Sequence, residues 1–525
     1  MRDYHLPGRS TVYATNGMCA TSHPVAAHTA VRVLQDGGNA VDAAIAAGIV
    51  LGIAEPQMTG LGGDLFVLMT PPGEDRILAL NASGRAPAAV DAEALRAAGH
   101  SSVPTYGVEA VTLPGAVAGF CKLSQEWGRR ELADILAPAI HYAEEGLPVA
   151  PRTAFDWSEF TDRAEGHART HFLIDGEAPR PGQVFRAPGQ AEVLRRIAAQ
   201  GRAGFYEGEV AADMVAALRK RGGAHTEADF AAVEANWVNP ISGDYKGVDL
   251  VEHPPNAQGA TAILLSKILA RFDLPALDPF GAARAHLEAE ATKLAYDARN
   301  RLLADADHTT RLAHMTDEST ADALAALIDP RRAMPTPPPA AGAVHKETVY
   351  LSVVDQDRMV VSMIYSIFHD FGSGIATPKF GLLFHNRGAG FSLEPGHPNE
   401  IGGGKRPMHT IIPGMLREAG RVTMPFGVMG GPYQATGHAR FLTNIVDYGL
   451  HPQAALDAPR CFATEGELRV ERGYSAAVRA ELAEIGHKVV VPETPIGGAQ
   501  AIRIHADGVL EGASDPRKDG CALGY

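Results

Sequence analysis

The chain is poor in cysteine, aromatic side chains and positive charge, and each shortage removes a class of explanation. Its four cysteines (Cys19, Cys121, Cys461, Cys521) are scattered over 525 residues with no C-x-x-C pair. Neither a disulfide framework nor a thiolate zinc site is expected from such spacing, and a reducing compartment suits it. Aromatic residues make up only 6% of the chain. The formal net charge of −14 argues against nucleic acid or an anionic membrane as the main partner. The densest basic cluster, Arg219-Lys220-Arg221, closes an apparent helix and reads as a complement to its dipole. The longest apolar stretch, around Ala43–Ala54, is too short to span a bilayer and stops at Glu55-Pro56, so it is read as a buried helix. Met1 to Arg9 lacks the apolar centre of a signal peptide. These features together predict a cytoplasmic protein with no membrane and no nucleic-acid partner.

Several catalytic signatures are also missing. There is no G-x-S-x-G elbow, since Phe371-Gly372-Ser373-Gly374 does not fit it. No H-E-x-x-H occurs, and the 21 histidines show no spacing that names a metal. Met58-Thr59-Gly60-Leu61-Gly62-Gly63-Asp64 and Gly402-Gly403-Gly404-Lys405-Arg406-Pro407 are glycine-rich but lack the helix a phosphate loop requires. No metal and no organic cofactor is expected.

What is present is a change of character at Thr348. The length alone suggests about three or four domains, unless most of the chain builds one multilayer core. In the first half, Val25–Leu34 reads as a helix stopped by Gly37-Gly38, and Asn39 caps a second helix with Asp42 in its first turn. Leu65–Met69 reads as a strand, and helical patterns run from about Pro114 to Ile328. In one of these, His286 to Tyr296, the charges are expected on a solvated face. A Pro/Ala-rich segment, 335–343, can form neither helix nor central strand. After it, Val349 to Asp355 is strand-like, and Met359–Tyr365 follows the turn Asp355-Gln356-Asp357-Arg358 as the second arm of an antiparallel hairpin.

A threonine that opens a strand behind such a loop suits an N-terminal nucleophile. Cutting the Glu347–Thr348 bond would free an α-amine beside a hydroxyl, so that one residue carries both base and nucleophile. Acyl transfer also needs donors for a developing oxyanion, and Gly430 and Gly431 offer two adjacent backbone N–H groups.

Met18 to Pro24, Gly37-Gly38-Asn39-Ala40-Val41-Asp42, Gly60-Leu61-Gly62-Gly63, Thr348 to Asp355, Phe371 to Gly374, Lys405-Arg406-Pro407, Gly430-Gly431, Val446-Asp447-Tyr448-Gly449 and Ala458-Pro459-Arg460 follow one another in order. Together they resemble the γ-glutamyltransferase (glutathione hydrolase) family over roughly residues 12 to 520. The resemblance implies an α+β fold, the four-layer αββα sandwich of N-terminal-nucleophile hydrolases. It also implies a precursor that cleaves itself into a large subunit, 1–347, and a small subunit, 348–525, intertwined as one domain, with further dimerisation left open. On matching positions Thr348 becomes nucleophile and new N-terminus, Ser366 the hydroxyl that bonds it, and Gly430 and Gly431 the oxyanion pair.

The departures concern substrate. The family's carboxylate-binding arginine falls at Ser83, with Arg85 two residues on; Phe368 replaces an asparagine, Gly390 an acid, and His409-Thr410 a serine pair. Loss of the acid leaves an α-ammonium without a partner, whereas Arg85, Arg387 and His409 still favour an anion. The pattern is similar to the cytoplasmic branch that includes oxamate amidohydrolase. The expectation is an amidohydrolase acting on a small amide through an acyl-enzyme. The alternatives are a γ-glutamyl hydrolase or transferase acting on glutathione, and an unprocessed binding protein.

Overall fold

Two seven-stranded antiparallel sheets pack face to face, with helices on both outer surfaces. The computed structural model describes residues 5, 8–335 and 348–525. Glu347 and most of the Pro/Ala-rich segment lie outside the described residues. The strands of the two sheets, in chain order, are β1 (Val12–Ala14), β2 (Met18–Thr21), β3 (Asp64–Thr70), β4 (Leu78–Ala82), β5 (Asn236–Val238), β6 (Ile241–Tyr245), β7 (Val248–Glu252), β8 (Val349–Val354), β9 (Val360–Ser366), β10 (Gly414–Glu418), β11 (Arg421–Met429), β12 (Gly498–Ile504), β13 (Leu510–Ser514) and β14 (Cys521–Gly524). One sheet runs β14-β2-β8-β9-β3-β4-β5 and the other β1-β13-β12-β11-β10-β7-β6. Each sheet contains strands from before and from after position 348, so the segments 1–347 and 348–525 share one core. The short strands β5, β6 and β7 interrupt a region whose sequence reads as helical.

The outer layers follow from local signals. Helix α1 (Pro24–Gln35) and the apolar α2 (Ala40–Ala54) cover the first sheet. Asn39 and Asp42 form a reciprocal capping box, and every residue of α2 is buried. A third helix on this side, α3 (Leu132–Glu145), packs on α2. The second sheet is covered by α4 (Gly259–Leu269) and α6 (Gln434–Val446), with α5 (Ala282–Leu302) lying on α4 and α7 (Ala476–Ile485) on α5. This is the α+β four-layer sandwich.

Helix α5 departs from expectation. Its charges from Arg284 to Lys293 do not face solvent: Arg284, His286, Glu288, Glu290 and Lys293 are all buried. Layers pack on more than one side of the helix, and each charge finds an internal partner instead of water. Glu288 pairs with Arg440 of α6, and Glu290 with Lys293 at 2.6 Å.

Between the sheets, alternation along β8 sends Val349, Leu351 and Val353 into the core under the helices, and Tyr350 into the inter-sheet core with Phe66, Ile364, Phe426 and Val428. Glycine is required opposite Tyr350, because a Cβ at Gly427 would stand 2.3 Å from the ring. The β8–β9 hairpin is closed by Asp355. Its carboxylate accepts from the N–H groups of Asp357 and Met359, each at 3.0 Å, and from Ala40 N–H at 2.9 Å, so one side chain fixes the turn and the start of α2. Asp355→Ala should lower stability by about 3 kcal/mol, since donors to a buried charge lose their acceptor. A Tm unchanged from wild type would show that the turn holds without this carboxylate.

Candidate active site

Antiparallel register places three polar residues in one row across neighbouring strands. Val349 pairs with Tyr365 and Ser366 pairs with Asp64, so Thr348, one residue before β8, stands opposite Ser366. Paired residues point to the same face. Here that face looks between the two sheets, near the end of β11 that leads into Gly430. The Thr348 and Ser366 hydroxyl oxygens are 3.1 Å apart, and both residues are buried.

Arg387 extends this row sideways. It sits in a short helical turn, Arg387–Gly390, and is 0% exposed. Its guanidinium donates to Ser366 Oγ at 3.3 Å and to Thr410 Oγ1 at 2.9 Å, while its Nε–H has no hydrogen-bond partner. The Phe368 ring lies 3.9 Å from the guanidinium carbon, a cation–π contact, and the Phe368 N–H donates to Ser366 Oγ at 2.9 Å. Phe368 adopts φ = +82°, a region a bulky residue enters only when its surroundings force it. Burial pushes the Arg387 guanidinium down to about 9, with Asp64 acting the other way, so it remains a cation at neutral pH.

Asp64 is set back behind two histidines. One carboxylate oxygen accepts from Gly84 N–H at 2.8 Å and Gly115 N–H at 3.2 Å. The other lies 3.1 Å from His409 Nε2 and 3.6 Å from His385 Nδ1. Burial opposes this charge, but His385, His409 and Arg387 outweigh it and hold the carboxyl down to about 2. Burial and the charge of Arg387 press His409 down to about 3 despite Asp64. His409 is therefore a neutral donor to Asp64, with its Nδ1 accepting from Ile411 N–H at 3.4 Å.

The remaining positions fall into two groups. Gln258 donates from Nε2 to Thr410 O at 2.6 Å and to Gly431 O at 3.2 Å, which brings the glycine pair beside the Arg387 cluster. Gly430 has φ = +118° and Gly431 φ = +54°, conformations that favour glycine. Gly390 leaves no room for an acid, because even a Cβ would come 2.8 Å from the Met408 carbonyl. Arg85, by contrast, is half exposed and engaged elsewhere, donating to Gly404 O at 2.8 Å and pairing with Asp305 at 3.3 Å. None of its contacts joins it to the Thr348 cluster. Ser83 is held in a buried amide network by Asn81 Oδ1 at 2.7 Å. His385 and Gln258 escape a reading of the sequence, since their contacts to Asp64, Thr410 and Gly431 span more than a hundred residues. Asp64 carried a signal in its place at the glycine-rich entry to β3.

A four-layer αββα sandwich with a buried threonine at the head of a central strand defines the N-terminal-nucleophile hydrolases, enzymes of amide hydrolysis and acyl transfer. Within that class, the chain belongs to the gamma-glutamyltranspeptidase family, which it matches over residues 26–525. It is 35% identical to the glutathione hydrolase-like YwrD proenzyme of Bacillus subtilis, over 98% of this chain and 99% of that one. It is also 35% identical to the oxamate amidohydrolase proenzyme of Klebsiella pneumoniae, over 98% and 100%. Among solved structures, cephalosporin acylase from Bacillus halodurans superposes with a TM-score of 0.93 at 38% identity, covering 100% of this chain and 99% of the other. Among the described residues no helix is long and apolar enough to cross a membrane.

The state of His409 has a measurable consequence. An unfolded histidine takes a proton near pH 6.5, whereas His409 refuses one until about pH 3. Between these limits the unfolded chain binds more protons, so stability falls as pH falls, by about 1.4 kcal/mol per pH unit for this group. His409→Asn should flatten the decline of Tm with acidification below pH ~6.5. Parallel wild-type and variant curves would mean that His409 is charged in the folded protein.

Proposed function

We propose that the chain is a precursor that cleaves itself between Glu347 and Thr348 and then hydrolyses a short amide whose acyl half ends in a carboxylate, oxamate being the type. Thr348 attacks the amide carbonyl with its own freed α-amine as base. Ser366 hydrogen-bonds the nucleophile, and the Gly430 and Gly431 N–H groups receive the oxyanion. Water then resolves the acyl-enzyme.

The observation that carries the substrate reading is the buried Arg387. A guanidinium with no carboxylate in contact and an orphaned Nε–H is costly inside a protein, and such groups mark functional sites. It stands two hydrogen bonds from the Thr348 hydroxyl. An anion held there must lie close to the scissile carbonyl, which suits a carboxylate one or two atoms away. A γ-glutamyl group instead puts its carboxylate several bonds further out. It would also bring an ammonium with no acid to meet it at Gly390, and Phe368 covers one face of Arg387. The relatives named for oxamate and for glutathione agree with an amide substrate, and the arginine favours the shorter one. A cytoplasmic site of action accords with this reading.

Purified protein should run as two pieces, 1–347 and 348–525, the second starting at Thr348, while Thr348→Ala stays whole. Active wild-type protein that remains intact by mass spectrometry would remove Thr348 as the nucleophile, and intact protein without turnover would favour the binding-protein alternative.

Hydrolysis of oxamate should exceed that of glutathione or γ-glutamyl anilides when compared as kcat/KM, where discrimination resides. Arg387→Ala should raise KM for the anionic amide by about 10²-fold or more, the effect of losing a buried charge partner, while self-cleavage persists. Efficient γ-glutamyl turnover with no action on short acid amides would overturn the assignment.

A further inference from the structure

Where α5 meets the turn that ends α7, two imidazoles and a carboxylate converge. We propose that His286, Glu290 and His487 form a binding site for one divalent transition-metal ion of the zinc, cobalt or nickel kind. His286 and Glu290 are one turn apart on α5, and His487 follows the turn that ends α7. One ligand atom from each lies within 4.8 Å of the others, and all three residues are buried. His286 and Glu290 come from the segment before Thr348, His487 from the segment after it. An ion here would tie together the two pieces that cleavage produces.

The hydrogen bonds already set the ligands for a metal. His286 Nε2 lies 2.8 Å from the Asp329 carbonyl, which can only accept, so the proton is on Nε2 and Nδ1 presents a bare lone pair. A backbone carbonyl holding the far nitrogen is the usual way a metal-binding imidazole is oriented. His286 Nδ1 faces His487 Nε2 at 2.8 Å. To admit an ion, His487 moves its proton from Nε2 to Nδ1 and stays neutral, with no net proton released. Two nitrogens on one zinc, each about 2.0–2.1 Å from it, stand a few tenths of an ångström further apart than this pair, so the adjustment is small. Imidazoles with a carboxylate suit zinc and its neighbours better than calcium or magnesium.

One group competes. Lys293 Nζ holds Glu290 at 2.6 Å and also donates to the Met334 carbonyl at 3.0 Å, while Met334 N–H donates to Glu290 at 2.8 Å. Each carboxylate oxygen keeps a further lone pair, but the ammonium repels an incoming cation. Removing Lys293 should therefore strengthen metal binding, an effect that a merely structural histidine pair would not give.

The test is calorimetric titration of tag-free, chelator-stripped full-length protein with zinc chloride near neutral pH. One zinc per chain is expected. His487→Asn should weaken binding at least about tenfold, Lys293→Met should tighten it severalfold, and zinc should raise the Tm of wild type but not of His487→Asn. The uncleaved Thr348→Ala protein should bind zinc as wild type does, so failure here is distinguishable from failure of the cleavage reading. No stoichiometric binding in wild type, equal affinity in His487→Asn, or binding left unchanged or weakened by Lys293→Met would each overturn the proposal. The last comparison stands by itself if His487→Asn does not fold.

Discussion

The contact on which the site depends is the side-by-side placement of Thr348 and Ser366, and it is a consequence of strand register. The β8–β9 hairpin pairs Val349 with Tyr365, and β9 pairs Ser366 with Asp64. A slip of one residue would turn every one of these side chains to the opposite face and bury Thr348 under the helices. Asp355 fixes the hairpin turn through two backbone donors and ties it to α2 through a third, so a carboxylate at the far end of the strands helps set where the Thr348 hydroxyl points. The inter-sheet packing of Tyr350 against Gly427 aligns the second sheet on the same register and brings β11 to its exit at Gly430. Stability and site geometry share these constraints.

Electrostatics then decide what the row of hydroxyls can receive. Asp64 compensates the buried charge of Arg387 without touching it. Its oxygens are occupied by two backbone N–H groups and His409, with His385 beside them. Direct pairing would satisfy the guanidinium and leave it inert. Set back, the carboxylate lowers the cost of burying Arg387 while leaving donor capacity unmet at Nε. Neutral His409 adds no charge of its own. It relays the position of Asp64 to the chain beside Thr410, whose hydroxyl fixes the other side of the guanidinium.

Much of this was legible in the sequence where local rules suffice. The Asn39–Asp42 cap, the buried run of α2 and the hairpin after Thr348 each rest on a few consecutive residues, and they formed as expected. The charged face of α5 did not, because its pattern of Glu, Lys and His reads as solvated until the layers around it are known. Arg85 and His409 show the same limit within the site. Both are cation-forming residues near family motifs, yet one is held at the surface by Asp305 and the other is neutralised by burial. The convergence of His286 with His487, 201 residues apart, is likewise a product of tertiary packing.

Scaffold and specificity are separable here for a physical reason. Thr348, its hydroxyl neighbour Ser366 and the Gly430–Gly431 pair sit on strand ends and a tight turn whose geometry follows from the sheets. Phe368, Arg387, Gly390, His409 and Thr410 lie on the connections that follow β9 and precede β10, and Ser83 directly follows β4, places where side chains can change without altering register. Phe368 belongs to both sets: its N–H steadies Ser366 while its ring covers Arg387, and its left-handed backbone is held by that double contact. A change there would disturb the Thr348–Ser366 pair and the surroundings of Arg387 together. By this argument the surroundings of Arg387 and the placement of the Thr348 and Ser366 hydroxyls are coupled, through Phe368 and through the hydrogen bond from Arg387 to Ser366.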